Sequence, residues 1–208
     1  MTTPTQTQPP FIPLRRSGWA TRRTPWWVFA VLAVVAGGVF LVSLSHKPSP
    51  SQRASDLAAY FADVKGGIGS CAAGLRDSEN AYGQVLSGDT AHATTARAIF
   101  TYGANNCTLA GNQALTDFAG YQVSESLARF NLDAADNDVI TWSFDSTAVQ
   151  QDMTAVLDAA TPAARSTAQA KLQTAIAKLD AQRADLDTIW AAAQKAAGAT
   201  AAIPSLPA

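Results

Sequence analysis

Residues 57–89 read LAAYFADVKGGIGSCAAGLRDSENAYGQVLSGD. Within them Leu57, Phe61, Val64, Ile68, Cys71, Leu75, Ser78, Tyr82 and Val85 recur at alternating steps of four and three residues. That spacing stacks side chains along one face of an α-helix, so the stretch predicts one long helix with a single buried stripe. Leu86-Ser87-Gly88-Asp89 ends it, with glycine supplying the C-terminal cap and aspartate the N-cap of the next helix.

The same period continues outward from this helix. Ala96, Ile99, Phe100, Gly103, Cys107 and Ala110 give a second stripe, and Val139, Trp142, Val149, Met153 and Val156 a third. Thr161-Pro162 is an N-cap followed by proline at the first helical position. Leu172, Ile176, Leu179, Leu186, Trp190 and Ala193 form the fourth stripe. Between the second and third stripes, TDFAGYQVSESLARFN at 116–131 has no single period and is read as a crossover packing apolar side chains on one end of a bundle. Ser143-Phe144-Asp145-Ser146 marks a possible break in the third helix, because Ser and Asp compete for backbone hydrogen bonds.

The two cysteines, Cys71 and Cys107, lie equally far from a turn centred near residue 89. In an antiparallel hairpin they are level with one another. Gly67 and Gly74 flank the first, Gly103 and Gly111 the second, and such small neighbours let two helix axes approach closely enough for a disulfide. A Cys71–Cys107 disulfide is therefore expected, provided that this part of the chain is exported from the reducing cytoplasm.

That condition rests on the N-terminal region. Residues 26–44 form a 19-residue run without a charge, about 28 Å as a helix and close to the thickness of a bilayer core. Trp26 and Trp27 stand at its start, where indoles favour the headgroup zone. The length favours a retained anchor over a cleaved signal, although Ser43-Leu44-Ser45 has the small-x-small form of a cleavage site. Arg22-Arg23 has the look of a twin-arginine signal, but Pro25 falls where an apolar residue belongs. Arg15, Arg16, Arg22 and Arg23 precede the run and no acid does, which places the N-terminus in the cytoplasm and the C-terminal part outside. Residues 1–47 carry five of the fifteen basic groups and no acid, leaving ten basic and sixteen acidic groups for the remainder, a net charge of −6. A mildly acidic domain argues against nucleic acid as partner.

The fold expected is all-α: one N-terminal transmembrane helix, then an antiparallel up-and-down four-helix bundle braced by one disulfide. Residues 1–24 are expected to be a disordered cytoplasmic segment, 25–46 a signal-anchor helix, 47–51 a linker, 52–197 the extracytoplasmic bundle and 198–208 a disordered tail.

Candidate chemistry is sparse. Arg183 sits on the apolar stripe of the fourth helix, and a turn near residue 160 puts it level with Asp138, so a buried Arg183–Asp138 ion pair is expected, with Asp136 the neighbouring alternative. The guanidinium's other possible role is to clamp an anionic ligand in the core. Asp133, Asp136 and Asp138 have the spacing of an oxygen-rich calcium loop but lack its turn glycine and terminal glutamate, and read as a solvated helix start. Tyr60, Phe61, Trp142 and Trp190 are candidates to line an apolar pocket between helices, and those on the apolar stripes, Phe61, Trp142 and Trp190, are assigned to core. His46 and His92 have no metal spacing, and no nucleophile elbow, phosphate loop or zinc signature is present. The expectation is a non-catalytic interaction or scaffold module of the bacterial cell envelope, without cofactor, whose partners are the lipid bilayer and another envelope protein. The alternative is an envelope binding protein holding a small apolar or anionic ligand between its helices. A cavity in the core would favour the second, an exposed apolar patch over a filled core the first.

Overall fold

The computed structural model describes residues 47–207; the run at 26–44 and everything before it lie outside the described residues. Among the described residues no helix is long and apolar enough to cross a membrane, and all regular structure is helical. Five α-helices follow in order: α1 Pro50–Leu86, α2 Ala93–Asn106, α3 Gln113–Ala119, α4 Leu132–Asp158 and α5 Pro162–Ala197. Two short 3-10 turns, Thr90–His92 and Glu125–Phe130, precede α2 and α4.

Helix α1 starts at Pro50, two residues before the expected domain start at 52, so the end of the expected 47–51 linker is its first turn. The Ser49 hydroxyl accepts from the Gln52 amide at 3.1 Å, Pro50 occupies the first turn, and Arg53 donates back to the Pro48 carbonyl. The helix stops at Leu86 because Gly88 takes φ +106°, a conformation that favours glycine. Asp89 does not cap α2 directly: its carbonyl accepts from the His92 amide across the 3-10 turn, and its carboxylate lies 2.5 Å from His92 Nδ1.

Helices α1 and α2 run antiparallel, joined by the Cys71–Cys107 disulfide with Cα atoms 4.5 Å apart. The four flanking glycines do different jobs. A Cβ on Gly74 would stand 2.7 Å from the Cα of Gly103, so these two form the close helix contact. Gly67 instead receives the Phe118 side chain of α3, and Gly111 folds back on Asn105 in the turn after α2. Cys107 is the residue that terminates α2, and Ala110 lies beyond its end.

The 116–131 crossover is largely helical turns. Buried Asn112 caps α3 by accepting from the Leu115 amide at 3.2 Å, and its side-chain amide donates to the carbonyls of Gly67 and Asn106. One side chain thus ties α1, α2 and α3 together. Leu115, Phe118 and Leu127 are buried, and Asn131 takes φ +55° to launch α4.

Helix α4 is continuous through 143–146. Ser143 donates to the Ile140 carbonyl at 2.7 Å and Ser146 to Trp142 at 2.9 Å, so each buried hydroxyl is satisfied by its own helix. The competing hydrogen bonds that suggested a break are made without one. Helix α5 opens with Thr161 accepting from the Ala164 amide at 3.2 Å and closes at Gly198, φ +67°.

Beyond α5 the chain is not loose. Pro204 and Leu206 are buried, Ile203 packs on the core, and Gln194 Nε2 donates to the Ala201 carbonyl at 2.6 Å. The segment lies along α5 beside Arg183, Asp187 and Ala191.

The core is filled by Tyr60, Phe100, Trp142 and Trp190, all fully buried. An aromatic of this kind removes about 200 Å² from water, worth at most about 5 kcal/mol before chain entropy is counted. One amide lies among them. Gln150 of α4 donates to the Ser146 carbonyl at 3.2 Å and reaches Cys107 Sγ at 3.6 Å. Its Oε1 faces the Ser78 hydroxyl at 2.9 Å, and that hydroxyl also lies 2.7 Å from the Gly74 carbonyl.

Candidate functional site

The seam between α1 and α2 is wedge-shaped. On its inner side Tyr82 and Phe100 meet with ring centroids 6.3 Å apart and hold the helices open. Beside this pair the helices meet through small residues: buried Ala81 from α1, Thr95 and Ala98 from α2. At one end the Gly74–Gly103 contact and the disulfide, one turn further on, draw the helices together. The result is a solvent-open groove of about 460 Å³ lined by Gly74, Asp77, Asn80, Ala81, Gln84, Thr95, Ala98, Ile99 and Tyr102. Its floor is apolar and its α1 rim carries a carboxylate and two amides. Tyr102 stands at the α2 edge 69 % exposed, the most exposed large apolar side chain among the described residues. No sequence motif marks this groove. Its small residues, Ala81 on α1 and Thr95 and Ala98 on α2, carry no periodic signal in the sequence.

A second cluster lies where α1, α4 and α5 meet. Trp190 Nε1 points at the Tyr60 hydroxyl at 3.4 Å, and Tyr60 packs against Tyr121 of the crossover with ring centroids 6.1 Å apart. Asp136 of α4 turns toward this group. Burial pushes its carboxyl up to about 6, against the pull of the neighbouring Tyr60 hydroxyl and with a further upward push from Asp133. Burial, then the Asp136 charge, pushes the Tyr60 hydroxyl well above its usual range. A carboxyl and a phenol so placed can share a proton, but the Tyr60 ring is wholly enclosed, so no substrate reaches it.

The expected Arg183–Asp138 pair does not form. Asp138 is exposed, and half-buried Arg183 pairs with Asp180 on its own helix at 3.2 Å. The reason is a shift in the turn. Lys171–Asp152 at 2.7 Å and Lys178–Asp145 at 2.8 Å show which positions of α4 and α5 are level. Both pairs centre between Thr161 and Pro162, one residue later than assumed, so Ile140 rather than Asp138 lies opposite Arg183. Of the acids at 133–138 only Asp136 is drawn inward. Tyr60, Phe61, Trp142 and Trp190 are all core, with Phe61 and Trp190 packed edge to face at 6.4 Å. His92 sits in the turn before α2.

No protein-family model, curated protein or solved structure matches the chain.

Proposed function

We propose that the chain is a membrane-anchored interaction module of the bacterial cell envelope. In this reading the run at 26–44 holds it in the bilayer, the helical domain stands outside the cytoplasm as an up-and-down four-helix bundle, and the domain recruits a protein partner without catalysis of its own. The observation that supports it is the pairing of a filled core with a solvent-open apolar groove edged by the exposed Tyr102. The disulfide is in keeping with an exported domain. One observation favours the alternative of a small apolar ligand: the groove volume falls within the range of small-molecule sites. Its openness argues the other way, since such sites usually enclose most of the ligand.

Two measurements test the reading. A reporter fused after Lys47 should be active only outside the cytoplasm, and one fused before Arg15 only inside. A photo-crosslinking residue at position 102 should trap a protein in intact cells, while one at exposed Asp185 on α5 should not. Cytoplasmic activity of the first fusion, or equal trapping at both sites, would reject it.

A further inference from the structure

Resting on that reading, we infer that the α1–α2 groove takes a basic amphipathic helix of the partner. Three features of the groove lead there. Its α1 side runs from Gly74 to Gln84 and its α2 side from Thr95 to Tyr102, about 15 Å and about 10 Å, or two to three helical turns. The backbone of both walls is committed to intrahelical bonds, so an extended peptide would find no ladder to join. A helix brings its own backbone bonds and needs only side-chain contacts, which an alanine-lined seam between two helices provides. Aliphatic side chains one turn apart would seat on Ala81, Ala98 and Ile99.

Charge sets the sign of the partner. Asp77 is exposed and is the one charged side chain lining the groove, and among the described residues no cation lies within ion-pair distance of it. A lysine or arginine on the rim of the incoming helix pairs with Asp77, whereas an acidic residue there is repelled. The net charge of −6 beyond residue 47 extends the same preference over the approach. Asn80, Gln84 and Thr95 accept or donate to the polar flank of the helix without selecting its charge.

The test uses the full chain in phosphatidylcholine nanodiscs and two synthetic amphipathic peptides of two heptads, with the same leucine positions and a central photo-leucine. One carries lysine at its polar positions, the other glutamate; labelling of empty nanodiscs is subtracted. The lysine peptide should label α1 and α2 at Ala81, Ala98 or Ile99, with at least threefold the yield of the glutamate peptide at low salt. Asp77→Asn, a surface change, should bring the two yields within twofold, and Asp185→Asn should not. Ala98→Trp, which fills the groove, should abolish labelling by both. Labelling elsewhere, equal labelling by the two peptides, or none would overturn the inference. The two proposals fail separately. Groove labelling by the lysine peptide with no protein trapped at position 102 in cells rejects only the interaction module; a trapped partner whose contact is acidic rejects only the basic helix.

Discussion

A Cβ placed on Gly103 would lie 2.0 Å from Gln150 Oε1 and 2.8 Å from the Gly74 carbonyl oxygen. Glycine is therefore required at 103 by two neighbours at once, one of them backbone that cannot move aside. Gly103→Ala should destabilise the domain by about 1–3 kcal/mol in urea unfolding, even though alanine is the better helix former. Gly66→Ala, whose Cβ would meet nothing within 4 Å, should instead stabilise by about 0.5–1 kcal/mol. Equal effects at the two positions would show that the helices do not touch at Gly74–Gly103.

The disulfide closes a separation of 36 residues. Loop-closure entropy assigns about 3.8 kcal/mol to such a bridge. Cys71→Ser with Cys107→Ser should lower stability by about 2–4 kcal/mol and leave helix content by circular dichroism unchanged. The intact protein should weigh two hydrogens less than its reduced form.

Asp136 gives a pH dependence of definite sign. Its folded value of about 6 lies above its ordinary 3.8. Its contribution to stability is thus full below about pH 4 and is lost as the pH rises through 6. Glu79, raised by burial and then by Asp180, acts in the same direction. Asp136→Asn should therefore match the native protein near pH 4 and exceed it by about 1 kcal/mol at pH 7.5, allowing for the side chain's partial exposure. A native thermal midpoint that falls no faster than the variant's between these pH values would contradict the assignment.

Two ion pairs between or along α4 and α5 should differ in worth. Arg183 and Asp180 are both partly exposed and three residues apart, so Arg183→Ala should cost less than about 1 kcal/mol. Asp152 is buried and depends on Lys171, so Lys171→Met should cost more, about 1–3 kcal/mol, by leaving a buried carboxylate short of its donor. Chemical denaturation of the two variants side by side decides the order.

These residues also show what the sequence made legible. The four-three stripe from Leu57 to Val85 is a local property, and α1 follows it because burying that stripe is what holds a long helix in place. The levelling of Cys71 with Cys107 needed only a turn position, and Gly88 marked it. The same reasoning failed for Arg183 because a one-residue error in the α4–α5 turn moves the opposite position by two residues, from Asp138 to Ile140, which is half-way round the helix. The crossover was opaque for another reason. Its order comes from Asn112, whose partners at Gly67 and Asn106 are on other elements, and no period records that. The tail was misjudged because prolines suit an extended strap as well as a loose end, and only the neighbouring surface of α5 distinguishes them. The groove was invisible because what defines it is the smallness of Ala81 and Ala98, which reads as neutral in one dimension.

Gln150 has a consequence of another kind. Leucine against leucine tolerates slippage: sliding one helix by a turn exchanges one greasy contact for another at small cost. Gln150 cannot slide, because its amide would leave Ser78 and Cys107 together, keep only the bond to Ser146 of its own helix, and end among hydrocarbon, at a cost of about 1–3 kcal/mol. It acts as an index mark that permits one longitudinal setting of α4 against the α1–α2 pair. Gly74 carries that setting through the thickness of a helix, since its carbonyl takes the Ser78 hydroxyl on the inside while its Cα borders the groove on the outside. Replacing Gln150 with leucine of similar bulk would leave the domain folded yet free to creep, and the first place to register the drift would be the outer surface around Asp77.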